Sequence, residues 1–134
     1  MLVAYCIDNN GGLIFNNRRL SRDKALCDDF VSTARNKIYA QDYSKTLFES
    51  YFSVSYAQNP FDISSDDDSV FIESLALSPY TDRIDKIYVY KWNRDYPSDM
   101  KIDIDPLALG FKLADTVEFK GNSHDKISKE IYVR

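Results

Sequence analysis

Phe111-Lys112-Leu113-Ala114-Asp115-Thr116-Val117-Glu118-Phe119 settles more of the fold than any other stretch of this chain. Phe111, Leu113, Val117 and Phe119 alternate with Lys112, Thr116, Glu118 and Lys120. Residues two apart share one face of a strand, so the pattern predicts a half-buried strand. Gly121-Asn122 begins a turn, and Ile127 to Val133 returns as the second arm of an antiparallel hairpin.

Upstream of the hairpin the pattern changes. Ile84 to Trp92 reads as a long strand, and Val70-Phe71-Ile72 as a short buried one. Leu2-Val3-Ala4-Tyr5-Cys6-Ile7 is apolar throughout, as in a central strand covered on both faces. Asn9 to Gly12 then turn the chain. Ser21 stands as an N-cap for a helix running to about Arg35, with Leu26, Phe30, Ala34 and Val31 inward. Lys37 to Ala40 reads as a second strand. From Ser44 a second short helix follows, burying Leu47, Phe48 and Tyr51. Residues 53–69 read as irregular, and Leu75 to Tyr80 as one helical turn stopped by Pro79. Strands alternate with helices first and an antiparallel pair comes last. The order defines an α/β domain with a mixed sheet, mostly parallel, flanked by helices and closed by a hairpin.

The composition sets outer bounds. A chain of 134 residues is expected to form one domain, and 44% hydrophobic with 14% aromatic content suffices for a core. The formal charge of −4 argues against nucleic-acid and anionic-membrane partners. No apolar run has the length of a membrane span, and Leu2 to Ile7 is too short for a signal peptide, which gives a cytoplasmic expectation. Cys6 and Cys27 lack zinc-ligand spacing and read as buried apolar residues.

Taken in order, these segments resemble dihydrofolate reductase over roughly residues 1–51 and 84–134. The first strand ending in Asp8, the acid in Ser21-Arg22-Asp23, and Lys37 to Ala40 followed by Ser44-Lys45-Thr46-Leu47 resemble the N-terminal half of that family. Ile84 to Val89, Phe111 to Phe119, Asn122-Ser123-His124 and the final arm resemble its closing strands. The resemblance implies one shortened dihydrofolate reductase-like domain over residues 1–134. It also implies that Asp23 is the catalytic acid beside a pterin-like ring, and that Lys45 and Thr46 touch a nucleotide phosphate.

The resemblance breaks where the family brings a glycine pair against the cofactor diphosphate. After Val70-Phe71-Ile72 this chain has Glu73-Ser74, which adds bulk and like charge where bare backbone is needed. The expectation is therefore a binding module without cofactor or hydride transfer, for an anionic small molecule or a protein. The alternative that the resemblance implies is a compact NADPH-dependent pterin or pyrimidine-type reductase.

The remaining candidates come from residue chemistry. Arg18, Arg19 and Arg22 crowd the entrance of the first helix, where an arginine fork suits phosphate or carboxylate. Trp92, Arg94 and Tyr96 are residue types enriched at interfaces and mark a partner surface. His124, the only histidine, takes a structural or solvated role and cannot assemble a metal site alone. Asp66, Asp67 and Asp68 read as a solvated loop, without the ligand spacing of a calcium site.

Overall fold

The computed structural model describes residues 1–134. Its strands in chain order are β1 (Leu2–Ile7), β2 (Gly12–Phe15), β3 (Arg18–Arg19), β4 (Ile38–Gln41), β5 (Val54–Ala57), β6 (Ser69–Phe71), β7 (Lys86–Lys91), β8 (Met100–Lys101), β9 (Lys112–Phe119) and β10 (Ile127–Val133). One α-helix, α1, spans Lys24–Thr33.

Seven strands form one sheet in the order β5-β4-β6-β1-β7-β10-β9. From β5 to β7 every pairing is parallel, with β1 central and in register Val3 to Val70 and Val3 to Ile87. β10 runs antiparallel to both β7 and β9, and a bulge interrupts its pairing with β9 between Ile131 and Tyr132. The mixed sheet closed by a hairpin is the one the sequence pattern describes.

Alternation along β1 feeds two separate cores. Leu2 and Ala4 face α1 and join Leu26, Phe30, Phe48, Phe71, Tyr90 and Trp92. Val3 and Tyr5 face the other way and join Leu13, Phe61, Ile72, Leu77, Ile87 and Phe111. Burying a Phe or Leu side chain is worth about 1.5–3 kcal/mol, so both layers hold the sheet. Their covers differ: the second face has no α-helix and is covered by loops and short 3-10 turns at Pro60–Asp62 and Ser78–Arg83.

Several expectations change in the structure. The helix begins at Lys24, because Asp23 is its N-cap: Oδ1 accepts from the Ala25 amide at 2.9 Å. Ser21 is not the cap. The second helix is a 3-10 turn, Asp42–Thr46, although Phe48 is fully buried as expected. β9 is not half-buried. It is the outer edge of the sheet, where nothing covers it, and Leu113 and Val117 are 48% and 39% exposed. Asp68 does not belong to a solvated run. It is buried and accepts from the Ser65 amide and the Asn36 side chain, while Asp66 pairs with Arg83 at the surface.

Four strands have no counterpart in the sequence reading: β2, β3, β5 and β8. β2 and β3 form a hairpin whose two loop residues, Asn16 and Asn17, have φ of 50° and 60°. Two successive left-handed residues make the tight turn that matches strand twist, and asparagine tolerates that conformation. The Asn-Asn pair was the available signal. β8 pairs with β2 and completes a small second sheet.

Candidate functional site

The parallel strands β1, β4, β6 and β7 deliver Asp8, Gln41, Glu73 and Trp92 to the same end of the sheet, at or just past their carboxyl ends. Ligands of open α/β sheets bind at this end, in the crevice beside a change of strand direction. The head of α1 and the β2–β3 hairpin complete the crevice walls, since Leu13, Arg19, Leu20, Ser21, Asp23, Cys27, Glu73 and Trp92 line it.

Glu73 occupies its floor. The carboxylate is buried; Arg19 Nε donates to Oε1 at 2.8 Å and Nη2 to Oε2 at 3.1 Å, and Ser44 Oγ donates to Oε2 at 2.6 Å. Both backbone amides of this segment are also taken. Those of Glu73 and Ser74 donate to Gln41 Oε1 at 2.8 and 2.9 Å. Arg19 further donates to Thr46 Oγ1 and the Tyr43 carbonyl, with its guanidinium 5.0 Å from the Tyr43 ring centre. Arg19 and Thr46, expected at two separate anion contacts, are thus brought together, but around an internal carboxylate.

Asp23 is equally committed. Oδ1 accepts from the Ala25 and Asn122 amides, and Oδ2 from the Ser123 amide, the Ser123 hydroxyl and His124 Nδ1. Burial pushes its pKa up. The Asn122 and Ser123 amides, the His124 ring and the Ala25 amide outweigh burial and hold the carboxyl below its ordinary value. The carboxylate therefore ties the start of α1 to the turn between β9 and β10. His124 is buried in the same cluster, its ring stacked on Trp92 with centres 4.7 Å apart, and Nε2 lies 2.8 Å from Ser21 Oγ.

The remaining candidates separate. Trp92 is only 4% exposed and cannot form a partner surface; its ring belongs to the core beneath the crevice. Tyr96 is half-buried, Arg94 exposed. Arg18 is exposed and makes no ion pair. With Phe15, Asn16, Leu20, Tyr96 and Pro97 it lines an open groove of about 530 Å³. Arg22 lies on another open cavity, about 330 Å³, with Lys24, Tyr51 and Ser123. Lys45 is exposed, 3.9 Å from Asp42 and away from the crevice lining. Burial pushes the Cys27 thiol up to about 12 and the Cys6 thiol well above its ordinary value, so neither is a thiolate.

The crevice itself is nearly closed. Between Cys6, Leu20, Leu26 and Trp92 it leaves about 20 Å³, room for about one water and for no ring.

Glu73, Gln41 and the Ser21–His124 contact are what sequence reasoning missed as interacting groups. Ser21 and His124 are 103 positions apart, and no local pattern links them.

A central β1, helical crossover and antiparallel β10 define a mixed α/β domain with the topology of the dihydrofolate reductase fold. No protein-family model matches the chain, and no curated protein matches its sequence. Among solved structures it is similar to the dihydrofolate reductase from Enterococcus faecalis complexed with NADP(H) and RAB-propyl. The TM-score is 0.70 at 13% identity, covering 100% of this chain and 96% of that one. The likeness establishes the fold. No helix is long and apolar enough to cross a membrane.

Proposed function

We propose that this dihydrofolate reductase-like domain is a binding module without hydride transfer, and that it takes a small planar anion in the groove beside Arg18. The observation that carries the first half is the Glu73 arrangement. A diphosphate needs backbone donors and a cation free to receive it. Here the donors belong to Gln41, and the cation, Arg19, belongs to Glu73. The residues present do not fit NADPH in the family's mode. Asp23 supports the same reading: with five donors already on its two oxygens, no lone pair is left for a pterin ring.

The second half rests on the groove. Its volume of about 530 Å³ lies within the range of about 300–1,000 Å³ typical of small-molecule sites. Phe15 and Tyr96 supply aromatic faces and Arg18 an uncommitted guanidinium, the pairing that holds a flat carboxylate by stacking and a charged fork. The Asn16-Asn17 turn fixes Arg18 at the hairpin's end, so it is presented with its backbone already ordered.

NADPH fluorescence and an amide-shift titration with benzoate test the two halves. The expected results are no fluorescence change up to high micromolar NADPH, and benzoate-dependent shifts at Phe15 to Leu20 and at Tyr96, lost in Arg18→Ala. Saturable NADPH binding overturns the first half. Benzoate shifts that are absent, or unchanged in Arg18→Ala, overturn the second.

A further inference from the structure

Ser21, His124 and Asp23 lie in one hydrogen-bonded row at the head of α1. Ser21 Oγ is 2.8 Å from His124 Nε2, and His124 Nδ1 is 2.9 Å from Asp23 Oδ2. An ionised carboxylate only accepts, so Nδ1 carries the ring proton. In a neutral imidazole Nε2 is then the acceptor, and the Ser21 hydroxyl donates to it. The direction of both bonds is the one a nucleophile, base and orienting acid require, and such a constellation is recognised by geometry and not by sequence position.

The surroundings add to the geometry. Asp23 is fully buried and His124 nearly so, whereas Ser21 is half-exposed and reaches solvent. Four contacts besides the histidine lock the acid, and Trp92 stacks on the imidazole and fixes its plane. The Arg22 amide, next in the chain, makes no backbone hydrogen bond. The space at Ser21 is about 20 Å³ between Cys6, Leu13, Leu20 and Leu26, enough for a group the size of a methyl.

We propose that Ser21, His124 and Asp23 form an acyl-transfer site that hydrolyses small carboxylic esters with an acyl part no larger than acetyl. Ser21 Oγ bonds to the ester carbonyl carbon while its proton passes to Nε2. The ester C–O bond then breaks, and His124 returns the proton to the departing alkoxide, which leaves as an alcohol. Water repeats the sequence on the acyl-serine and releases the carboxylic acid with Ser21 restored. Asp23 acts through His124 as a positioning residue, holding the tautomer that accepts from serine.

The test uses the full chain with methanesulfonyl fluoride, whose one carbon is a methyl, and with p-nitrophenyl acetate. The expected result is a methanesulfonyl adduct on Ser21 in peptide mass spectra, and acetate release that falls at least tenfold in Ser21→Ala. Ser21→Ala removes one half-exposed hydroxyl and keeps the fold, which circular dichroism verifies. Asp23→Asn retains a capping oxygen, and its labelling rate at Ser21 is expected to fall at least tenfold, a readout that helix capping alone does not move. No adduct, an adduct confined to other residues, or a Ser21→Ala rate equal to the parent's overturns the assignment. An unchanged labelling rate in Asp23→Asn removes Asp23 from it.

Discussion

Arg19 and Glu73, 54 residues apart in sequence, are bound in a two-pronged ion pair at 2.8 and 3.1 Å. The pair joins the β2–β3 hairpin to the end of β6 and closes the crevice floor. Its carboxylate is 8% exposed and its guanidinium 18%, so both charges have lost most of their water. Breaking a buried pair from one side costs about 3–5 kcal/mol, because the other charge stays behind. Arg19 keeps Thr46 and Tyr43 as partners, which lowers the expected cost of Glu73→Ala to about 2–3 kcal/mol. Urea unfolding of Glu73→Ala, Arg19→Ala and the double variant measures it. A coupling energy above about 1 kcal/mol is expected, and one under about 0.5 kcal/mol would mean that the two charges act independently.

The acid limb of stability follows from the same kind of contact. Burial raises the carboxyl of Asp23, yet the amides and ring bonded to it bring the pKa below its ordinary value. In Asp8 the amides of Tyr96, Gly12 and Asn10 likewise outweigh burial, and in Asp68 the Ser65 contacts do so. A depressed folded pKa means that the unfolded chain binds protons first as pH falls. The stabilisation is complete above about pH 5 and is lost progressively below about pH 4, where free carboxylates titrate. Urea midpoints between pH 7 and pH 3 are expected to be level at first and then drop. Midpoints that hold steady to pH 3 would contradict the assigned contacts.

Gly121 leads into the turn that supplies four of Asp23's five donors. A Cβ built there would fall inside contact distance of the Asp23 carboxylate and 2.9 Å from Ile127 Cδ1. Neither neighbour can yield, since one is held by five donors and the other is a fully buried residue. Gly121→Ala is therefore expected to lower stability by about 1–3 kcal/mol through overpacking. Gly110 has open space around it, but its φ of 90° makes alanine there strained for a different reason. Thermal unfolding of Gly121→Ala decides the first case, and an unchanged midpoint would show that the hairpin is not clamped on Asp23.

Where the sequence was readable, the reason was periodicity. β1, β7 and β10 announce themselves because burial on one or both faces dictates residue type at every second position or in an unbroken run. β9 carries the same alternation yet stands at the edge, since a pattern of period two reports strand geometry and not what lies over it. α1 was legible from Leu26 and Phe30, but its start was misplaced by two residues. Ser21 and Asp23 are both good caps, and only the fold decides which oxygen meets the Ala25 amide. The short strands β3, β5 and β8 carry too few residues for a pattern. The site was the least legible part. Glu73 following β6 could be read directly, whereas its partners Arg19, Ser44 and Gln41 lie 29 to 54 positions away. Trp92 was misjudged for a related reason: aromatic type suggests an interface, but burial is a property of the whole fold.

Trp92 is the chain's only tryptophan, and its environment can be followed alone. The ring is 4% exposed, packs in the core beneath α1, and stacks on His124 at an interplanar angle of 29°. A core tryptophan emits at shorter wavelength than a hydrated one, so unfolding is expected to shift the emission to the red in step with loss of circular dichroism. Trp92→Ala removes the largest side chain of the crevice wall and is expected to cost about 3–5 kcal/mol. Trp92→Phe keeps an aromatic face for His124 and is expected to cost less, on the order of 1–2 kcal/mol. A residue serving a partner surface would behave in the opposite way, with emission already red-shifted in the folded chain and an alanine change within about 0.5 kcal/mol of neutral. Chemical unfolding of the two variants, read by circular dichroism since neither retains the fluorophore, separates these outcomes, and a neutral Trp92→Ala would place the ring outside the core.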